Sequence, residues 1–258
     1  MAQSIDIIIS GVTGRMGQRL VRLISQHKEL NLIAGISSED NQHVGRSLAE
    51  YTGLDAAGDA PIVSSLTGLS ADVVIDFSQP AAFNAVIDYC VMNEIPLVSG
   101  TTGLSQSQFD RISQAGHFIP VMWAANFSLN IQIIKNLLQI FKQKNKTGRY
   151  HITETHHQHK QDAPSGTAIA LAQSLSQDQT LTVVADNEFT LGRIHIKSVR
   201  QAEVPGTHHI RCDFPHETID IEHQAKNGDL FAEGAIAAAQ WLTAKEKGFY
   251  DLNALLLA

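Results

Sequence analysis

Cysteine is scarce in this chain: Cys90 and Cys212 are the only two, far apart and in apolar or mixed surroundings. Such a pair builds no disulfide framework. Long apolar runs are missing as well, and no segment approaches the roughly 20 apolar residues that a membrane span needs. Met1 to Asp6 carries no basic stretch leading into an apolar one, so no signal peptide is expected. Positive charge is short, with 19 Lys plus Arg against 26 Asp plus Glu and a formal net charge of -7. That balance disfavours non-specific binding to nucleic acid or to an anionic membrane. Internal repeats and low-complexity tracts are absent. What remains reads as a soluble, cytosolic protein of 258 residues and 43% hydrophobic content, enough for one large core or two modest ones.

The order of the elements suggests two. Ile5 to Ser10 reads as a buried strand, Gly11-Val12-Thr13-Gly14-Arg15-Met16-Gly17 as a glycine turn, and Gln18 to about His27 as a helix. Further strands are expected at Leu30 to Ile36, Ile62-Val63, Asp72 to Phe77, Pro96 to Ser99 and Ile119 to Met122. Helices are expected between them over Ala81 to Asn93 and Ser105 to Ala115. Strands alternating with helices predict an α/β fold with a parallel, doubly wound sheet of the Rossmann type. After Phe127 the pattern changes: a helix from Leu129 to about Lys144 and a polar turn over Lys142 to Gly148 lead into a strand-rich stretch. Strands are expected there at Tyr150 to Thr155, Leu181 to Val184, Arg193 to Val199, His208 to Phe214 and Thr218 to Gln224, interrupted only by a helix after Pro164. This predicts a second, α+β domain with a mostly antiparallel sheet. A closing helix at Leu230 to Leu242 is expected to return to the first domain, which would then comprise 1–127 and 229–258, leaving 128–228 as the second.

Gly11, Gly14 and Gly17 form G-x-x-G-x-x-G, a variant of the dinucleotide-binding G-x-G-x-x-G. Glycine lets the backbone N–H groups of Gly11, Val12, Thr13, Gly14, Arg15 and Met16 approach a pyrophosphate at a helix N-terminus. The second strand ends in Ser37 and Ser38, with Glu39 and Asp40 just beyond, where a ribose-binding acid would usually stand. Arg15 is the nearby base, so neither NAD nor NADP is preferred on this pattern. Two further loops follow strand ends: Gly100, Thr101, Thr102 and Gly103, then Ala124, Ala125, Asn126, Phe127 and Ser128. Small residues there let a flat ring approach the backbone, and Ser105 and Ser128 are also credible helix caps.

The densest chemistry lies in Thr155-His156-His157-Gln158-His159-Lys160-Gln161-Asp162-Ala163-Pro164-Ser165-Gly166-Thr167-Ala168. Three imidazoles, an ammonium and a carboxylate precede a helix start that Ser165 can cap and that can hold an anion. A His-His-x-His run lacks the separated ligand spacing of structural zinc sites, and neither cysteine is near, so an organic anion fits better than a metal. If the strand pattern ran on, His157 and His159 would face one side and His156 the other; an irregular end would gather all three.

These motifs, together with Asp76-Phe77-Ser78, occur in the order found in the 4-hydroxy-tetrahydrodipicolinate reductase (dihydrodipicolinate reductase) family, which the chain resembles over nearly its whole length. The resemblance implies reduction of a cyclic dicarboxylate, 4-hydroxy-tetrahydrodipicolinate, to tetrahydrodipicolinate with loss of water, in diaminopimelate and lysine biosynthesis. NADH or NADPH would supply the hydride. It implies His156 and Lys160 as proton donors or acceptors, His157 as a substrate contact and Gly166 with Thr167 as a carboxylate grip. It also assigns Gly11 to Met16, Ser37, Gly100 to Thr102 and Ala124 to Phe127 to the cofactor. The first domain would bind dinucleotide; the second would bind substrate and assemble a homotetramer, with domain closure bringing nicotinamide to substrate. Three segments depart from the family: the second strand lacks the acid common in its members, Val204-Pro205-Gly206-Thr207-His208 has Thr207 in place of a Glu, and Lys226-Asn227-Gly228-Asp229 replaces a Ser-Arg region.

Overall fold

The computed structural model describes residues 4–145, 147–176, 178, 180–201 and 206–257; Val204 and Pro205, Lys146 of the polar turn and both chain ends lie outside the described residues. The chain divides into two compact units, Met1–Phe127 with Asp229–Ala258, and Ser128–Gly228.

The first unit is a parallel sheet of seven strands. In chain order it runs β1 (Ile5–Ser10), α1 (Arg15–Ile24), β2 (Leu30–Ile36), α2 (Leu48–Thr52), β3 (Ile62–Val63), β4 (Val73–Asp76), α3 (Pro80–Met92), β5 (Leu97–Ser99), α4 (Gln106–Ala115) and β6 (Pro120–Trp123). Ile7, Ile8, Ile9, Val73, Val74, Ile75, Leu97, Val98 and Val121 are fully buried, as in a sheet with helices on both faces. With β13 (Gly248–Tyr250), the spatial order β13-β6-β5-β4-β1-β2-β3 reverses direction between β1 and β4. At that switch point the strand C-termini open a crevice where ligands bind in such sheets.

Helix α1 begins at Arg15 with Gly14 as its N-cap, three residues earlier than the apolar periodicity predicts. Gly17 explains the difference. A Cβ there would lie 2.4 Å from the carbonyl oxygens of both Gly11 and Val12, so only glycine lets the helix start directly on the turn. Ser105 and Ser128 cap the helices that follow them, and Ser105 forms a full capping box with Gln108.

The second unit holds α5 (Leu129–Lys144), β7 (Arg149–His156), α6 (Gly166–Leu175), β8 (Leu181–Ala185), β9 (Glu188–Leu191), β10 (Ile194–Arg200), β11 (Thr207–Asp213) and β12 (Thr218–Gln224). Its sheet order is β12-β11-β7-β10-β9-β8, antiparallel except for β7 with β10. Strand β9 was not expected. It is four residues long, and the hairpin from β8 turns through Asn187 in the left-handed region at φ 56°. Along β7, Tyr150, Ile152, Glu154 and His156 are buried in alternation, putting them on one face. Leu138 of α5 and Ala168, Leu171, Ala172 and Leu175 of α6 pack with Tyr150 and Ile152 in a single core.

After residue 228 the chain rejoins the first unit as α7 (Asp229–Leu242), β13 (Gly248–Tyr250) and α8 (Leu252–Leu256). Arg19 and Arg22 of α1 hold Asp229 at 2.6 and 2.7 Å, pinning the start of α7 to α1. Gly234 brings α7 against the Phe127 carbonyl, which a Cβ there would strike. Strand β13 extends the sheet beside β6; its three residues are too few to carry a pattern. Cys90 and Cys212 are buried, unpaired thiols. Among the described residues no helix is long and apolar enough to cross a membrane.

Replacing Gly17 by Ala should destabilise the first unit by about 1–3 kcal/mol, the usual scale of overpacking against an unyielding neighbour. Urea unfolding followed at that unit's transition checks it, with Gly45→Ala, whose Cβ would enter open space but at φ 92°, as the comparison for backbone strain alone.

Candidate functional site

In the first unit the C-terminal ends of β1, β2, β5 and β6 carry the four cofactor segments read from the sequence. The turn after β1 is tightly held: Gly11 and Val12 donate to the Ile36 carbonyl, and Gly14 donates to Gly11. Gly11 takes φ 79°, and a Cβ on it would strike the Phe77 carbonyl. Helix α1 has neither a side-chain cap nor an acid in its first turn. Its leading N–H groups therefore offer an anion both donors and the positive end of the dipole, a fit for a dinucleotide pyrophosphate. Val12 is buried against Gly35, so its backbone, not its side chain, is what a ligand would meet. Thr13 Oγ1 lies 2.8 Å from Ser37 Oγ and accepts from Asn41 Nδ2 at 3.3 Å, which ties the turn to the end of β2. Arg15, Ser38, Glu39 and Asp40 are exposed and Met16 is half-buried.

The β5 loop is governed by Asp76, a residue that the sequence reading noted only as part of a motif. Its fully buried carboxylate accepts from Ser99 Oγ at 2.9 Å, Thr101 Oγ1 at 2.7 Å and the Ser78 N–H at 3.2 Å. Thr101 thus points inward, and its carbonyl accepts from Trp123 Nε1 at 2.9 Å, while Thr102 is exposed. Gly100 sits on the Phe77 ring, where a Cβ would clash. Phe77 in turn meets the buried Phe127 edge-on at 5.6 Å. Ala124 and Asn126 are half-buried and Ala125 is exposed beside them.

The second unit concentrates its chemistry at one end of β7. The strand stops at His156, so the histidine run does not continue as alternation. His156 stays buried on the core face while His157, half-buried, and His159, exposed, turn away together with ring centroids 6.3 Å apart. Lys160 N–H donates to the His157 carbonyl, and Lys160 Nζ reaches both Asp162 oxygens, at 2.7 and 2.9 Å. Burial by itself would raise the Asp162 carboxyl, but Lys160 outweighs it and holds the pKa below the usual value. Ser165 caps α6 by accepting from Ala168 N–H at 3.1 Å, leaving Gly166 exposed and Thr167 half-buried in the first turn.

Beneath this loop lies Glu154, fully buried and missed by the sequence reading. One of its oxygens accepts from Arg200 Nη1 at 3.1 Å and from the Ser165 N–H at 3.3 Å. The other lies 2.5 Å from His156 Nδ1, a close contact between two buried groups. Strand pairing builds the cluster: Ser198 and His208 stand opposite Glu154 on the two neighbouring strands, and Arg200 stands opposite His156. Burial alone would raise the Glu154 carboxyl; the His156 ring, the Ser198 hydroxyl and the Arg200 guanidinium overcome it and bring the pKa down to about 2. Burial, aided by His156, lowers His208 to about 4 against the pull of Glu154. His208 Nε2 lies 3.3 Å from Ser165 Oγ.

Glu154, His156 and His208 bring ligand-type atoms within 4.8 Å of one another. Arg200 already supplies the positive charge that a cation would bring to this carboxylate, so the cluster suits protons better than a metal. One clue to Glu154 was legible: it is two residues before His156, hence on the same strand face. Arg200 and His208 carried no such clue, because only strand register brings them in.

The strand order and the glycine turn define a protein with a dinucleotide-binding α/β fold. Residues 5–127 match the N-terminal part, and 127–256 the C-terminal part, of dihydrodipicolinate reductase, so the chain belongs to the dihydrodipicolinate reductase family. The 4-hydroxy-tetrahydrodipicolinate reductase of Pseudoalteromonas atlantica is 34% identical over 97% of this chain and 98% of its own length. That of Stenotrophomonas maltophilia is 35% identical over 97% of each. The dipicolinate-bound dihydrodipicolinate reductase from Paenisporosarcina sp. TG-14 has the same fold, with a TM-score of 0.78 and 22% identity over 96% of this chain and 98% of that one.

Two acid transitions should appear in stability. Glu154 has a depressed folded pKa, so its contribution is full above 4.5 and is lost as pH falls toward about 2. His208 is depressed too; below 6.5 the unfolded chain takes up a proton that the folded chain refuses, so stability drops from there and levels off near 4. Urea midpoints measured from pH 7 to pH 2 should lose the upper step in His208→Gln and the lower step in Glu154→Gln, each referred to its own value at pH 7.

Proposed function

We propose that this chain reduces 4-hydroxy-tetrahydrodipicolinate to tetrahydrodipicolinate, releasing water, in the diaminopimelate route to lysine. The reaction consumes one reduced nicotinamide cofactor and one proton and yields the oxidised cofactor. NADH or NADPH, when bound, supplies the hydride. The observation that carries the site reading is the convergence of His156, Lys160 and the first turn of α6 on the buried Glu154 and its Arg200 partner.

His156 and Lys160 deliver the proton that the reduced centre requires, His156 from its partly exposed ring edge and Lys160 from an ammonium held by Asp162. A dicarboxylate needs two anion contacts. The N–H groups and hydroxyl of Gly166 and Thr167 at the start of α6 serve one, and His157 beside Lys160 serves the other. In the first unit Gly11, Val12, Thr13, Gly14, Arg15 and Met16 hold the pyrophosphate, Ser37 the adenosine ribose, and Gly100, Thr101, Thr102, Ala124, Ala125, Asn126 and Phe127 form the nicotinamide side. Thr101 acts there through its backbone, since its hydroxyl is engaged by Asp76. No carboxylate ends β2 to refuse a 2′-phosphate, and the exposed Arg15 supports use of either cofactor.

The same reading makes the first unit the dinucleotide-binding domain and the second the substrate-binding domain, with four copies associating through the second unit's sheet. The edge strand β8, with Leu181, Val183 and Val184 exposed, supports an association surface there. The cytoplasm is the compartment, supported by the two buried, unpaired cysteines.

The test follows loss of NADH or NADPH absorbance separately, with substrate generated in situ by the preceding synthase. Wild-type protein should oxidise cofactor only in the presence of the synthase product. His156→Ala and Lys160→Ala should each lower turnover by about 100-fold or more, the scale of acid–base catalysis. Near-wild-type turnover in both would overturn the catalytic assignment. Thr167→Val should raise the substrate KM more than the cofactor KM; the reverse would move the carboxylate grip elsewhere.

A further inference from the structure

His156 is only useful as a proton donor if one of its two ring nitrogens faces substrate with the proton state fixed. The ring is anchored on the Nδ1 side. Nδ1 is fully buried 2.5 Å from the Glu154 carboxylate, while the side chain as a whole keeps 11% exposure. On the opposite edge stands Gly206, where an added Cβ would come within 3.0 Å of Nε2. Any side chain at 206 would crowd that edge.

The same carboxylate does more than hold the ring. Its second oxygen binds Arg200, whose remaining nitrogens donate to the carbonyls of Lys160 at 3.3 Å and Asp162 at 2.6 Å. Glu154 also accepts from the N–H of Ser165, the cap of α6. One buried anion therefore sets three elements at once: the ring of His156, the backbone that carries Lys160, and the start of the anion-holding helix.

We propose that Glu154 is the positioning residue of this site, holding the Nδ1 edge of His156 so that Nε2 meets substrate, with Arg200 carrying the same constraint to the Lys160 loop. The proposal rests on the reading of His156 as proton donor. The charged and titratable groups around His156 are Glu154 on its own strand, Arg200 opposite it on β10 and His208 on β11 with His223 behind it on β12; the Lys160–Asp162 pair follows in the loop. Among the described residues only Glu154 and Asp162 are anionic here, and Asp162 is taken by Lys160. Glu154 is therefore the anion placed to select the ring's tautomer.

Nitrogen-15 spectra of histidine-labelled wild-type protein, with His156 assigned by its absence in His156→Gln, read the tautomer without perturbing the cluster. Neutral His156 is expected to carry its proton on Nδ1. In Glu154→Gln the two ring nitrogens should shift toward a mixed tautomer, and kcat should fall by about 10- to 100-fold, as for outer-shell partners of functional imidazoles. The cofactor KM should change less than about twofold. Glu154→Asp should recover part of the turnover and of the wild-type ring signals. A wild-type proton on Nε2, or ring signals unchanged in Glu154→Gln, overturns the proposal. Ring signals that move while turnover stays at wild type would instead overturn the donor role of His156 on which the proposal rests, and His156→Ala would then also be active.

Discussion

A carboxylate removed entirely from water is the constraint around which the second unit is organised. Burying such a charge costs several kcal/mol unless good partners surround it. Glu154 finds them on every side: a guanidinium from β10, an imidazole from its own strand and a backbone N–H from the cap of α6. Removing any one leaves charge or polarity stranded in the interior. The cluster therefore ties strand register to loop conformation. Glu154 meets Arg200 only when β7 and β10 pair in parallel with Ser198 opposite Glu154 and Arg200 opposite His156. Given that register, Arg200 fixes the backbone around Lys160 and Asp162. The conformation of the Lys160 loop is thus inherited from sheet pairing.

The first unit solves a similar problem with a similar device. Its ligand-facing segments are loops at strand ends, which have few hydrophobic contacts to hold them. Asp76, buried at the end of β4, gathers Ser99, Thr101 and the Ser78 N–H and sets the β5 loop. Glycine does the rest. Gly11, Gly17 and Gly100 stand where backbone or a ring already occupies the place of a Cβ, so chain segments can approach closely enough to leave a shallow, donor-lined crevice. In each unit a buried anion holds the loop and small residues keep the surface open.

Much of this was legible from residue order. The first β-turn-α unit announces itself by apolar strand, spaced glycines and amphipathic helix, and the long α5 and the strand β12 have the bounds that their patterns predict. Helix caps at Ser105, Ser128 and Ser165 could be read because capping depends on three or four neighbouring residues. The short elements β9, β13 and α2 went unread. They hold three to five residues, and their stability comes from what they pack on rather than from their own periodicity.

The chain alone determined that a glycine turn opens a nucleotide-type α/β unit, that three imidazoles and an ammonium precede a capped helix start, and which family these motifs belong to. Those are local facts, set by dihedral freedom, side-chain chemistry and spacing along a few residues. Only the tertiary structure decided that His156 turns inward while His157 and His159 turn out, and that Glu154, Arg200 and His208 close around it. That choice comes from burial. A lone carboxylate cannot stay ionised in a core without partners, and its partners come from strands as far as residues 200 and 208, which pairing brings together and proximity in sequence does not.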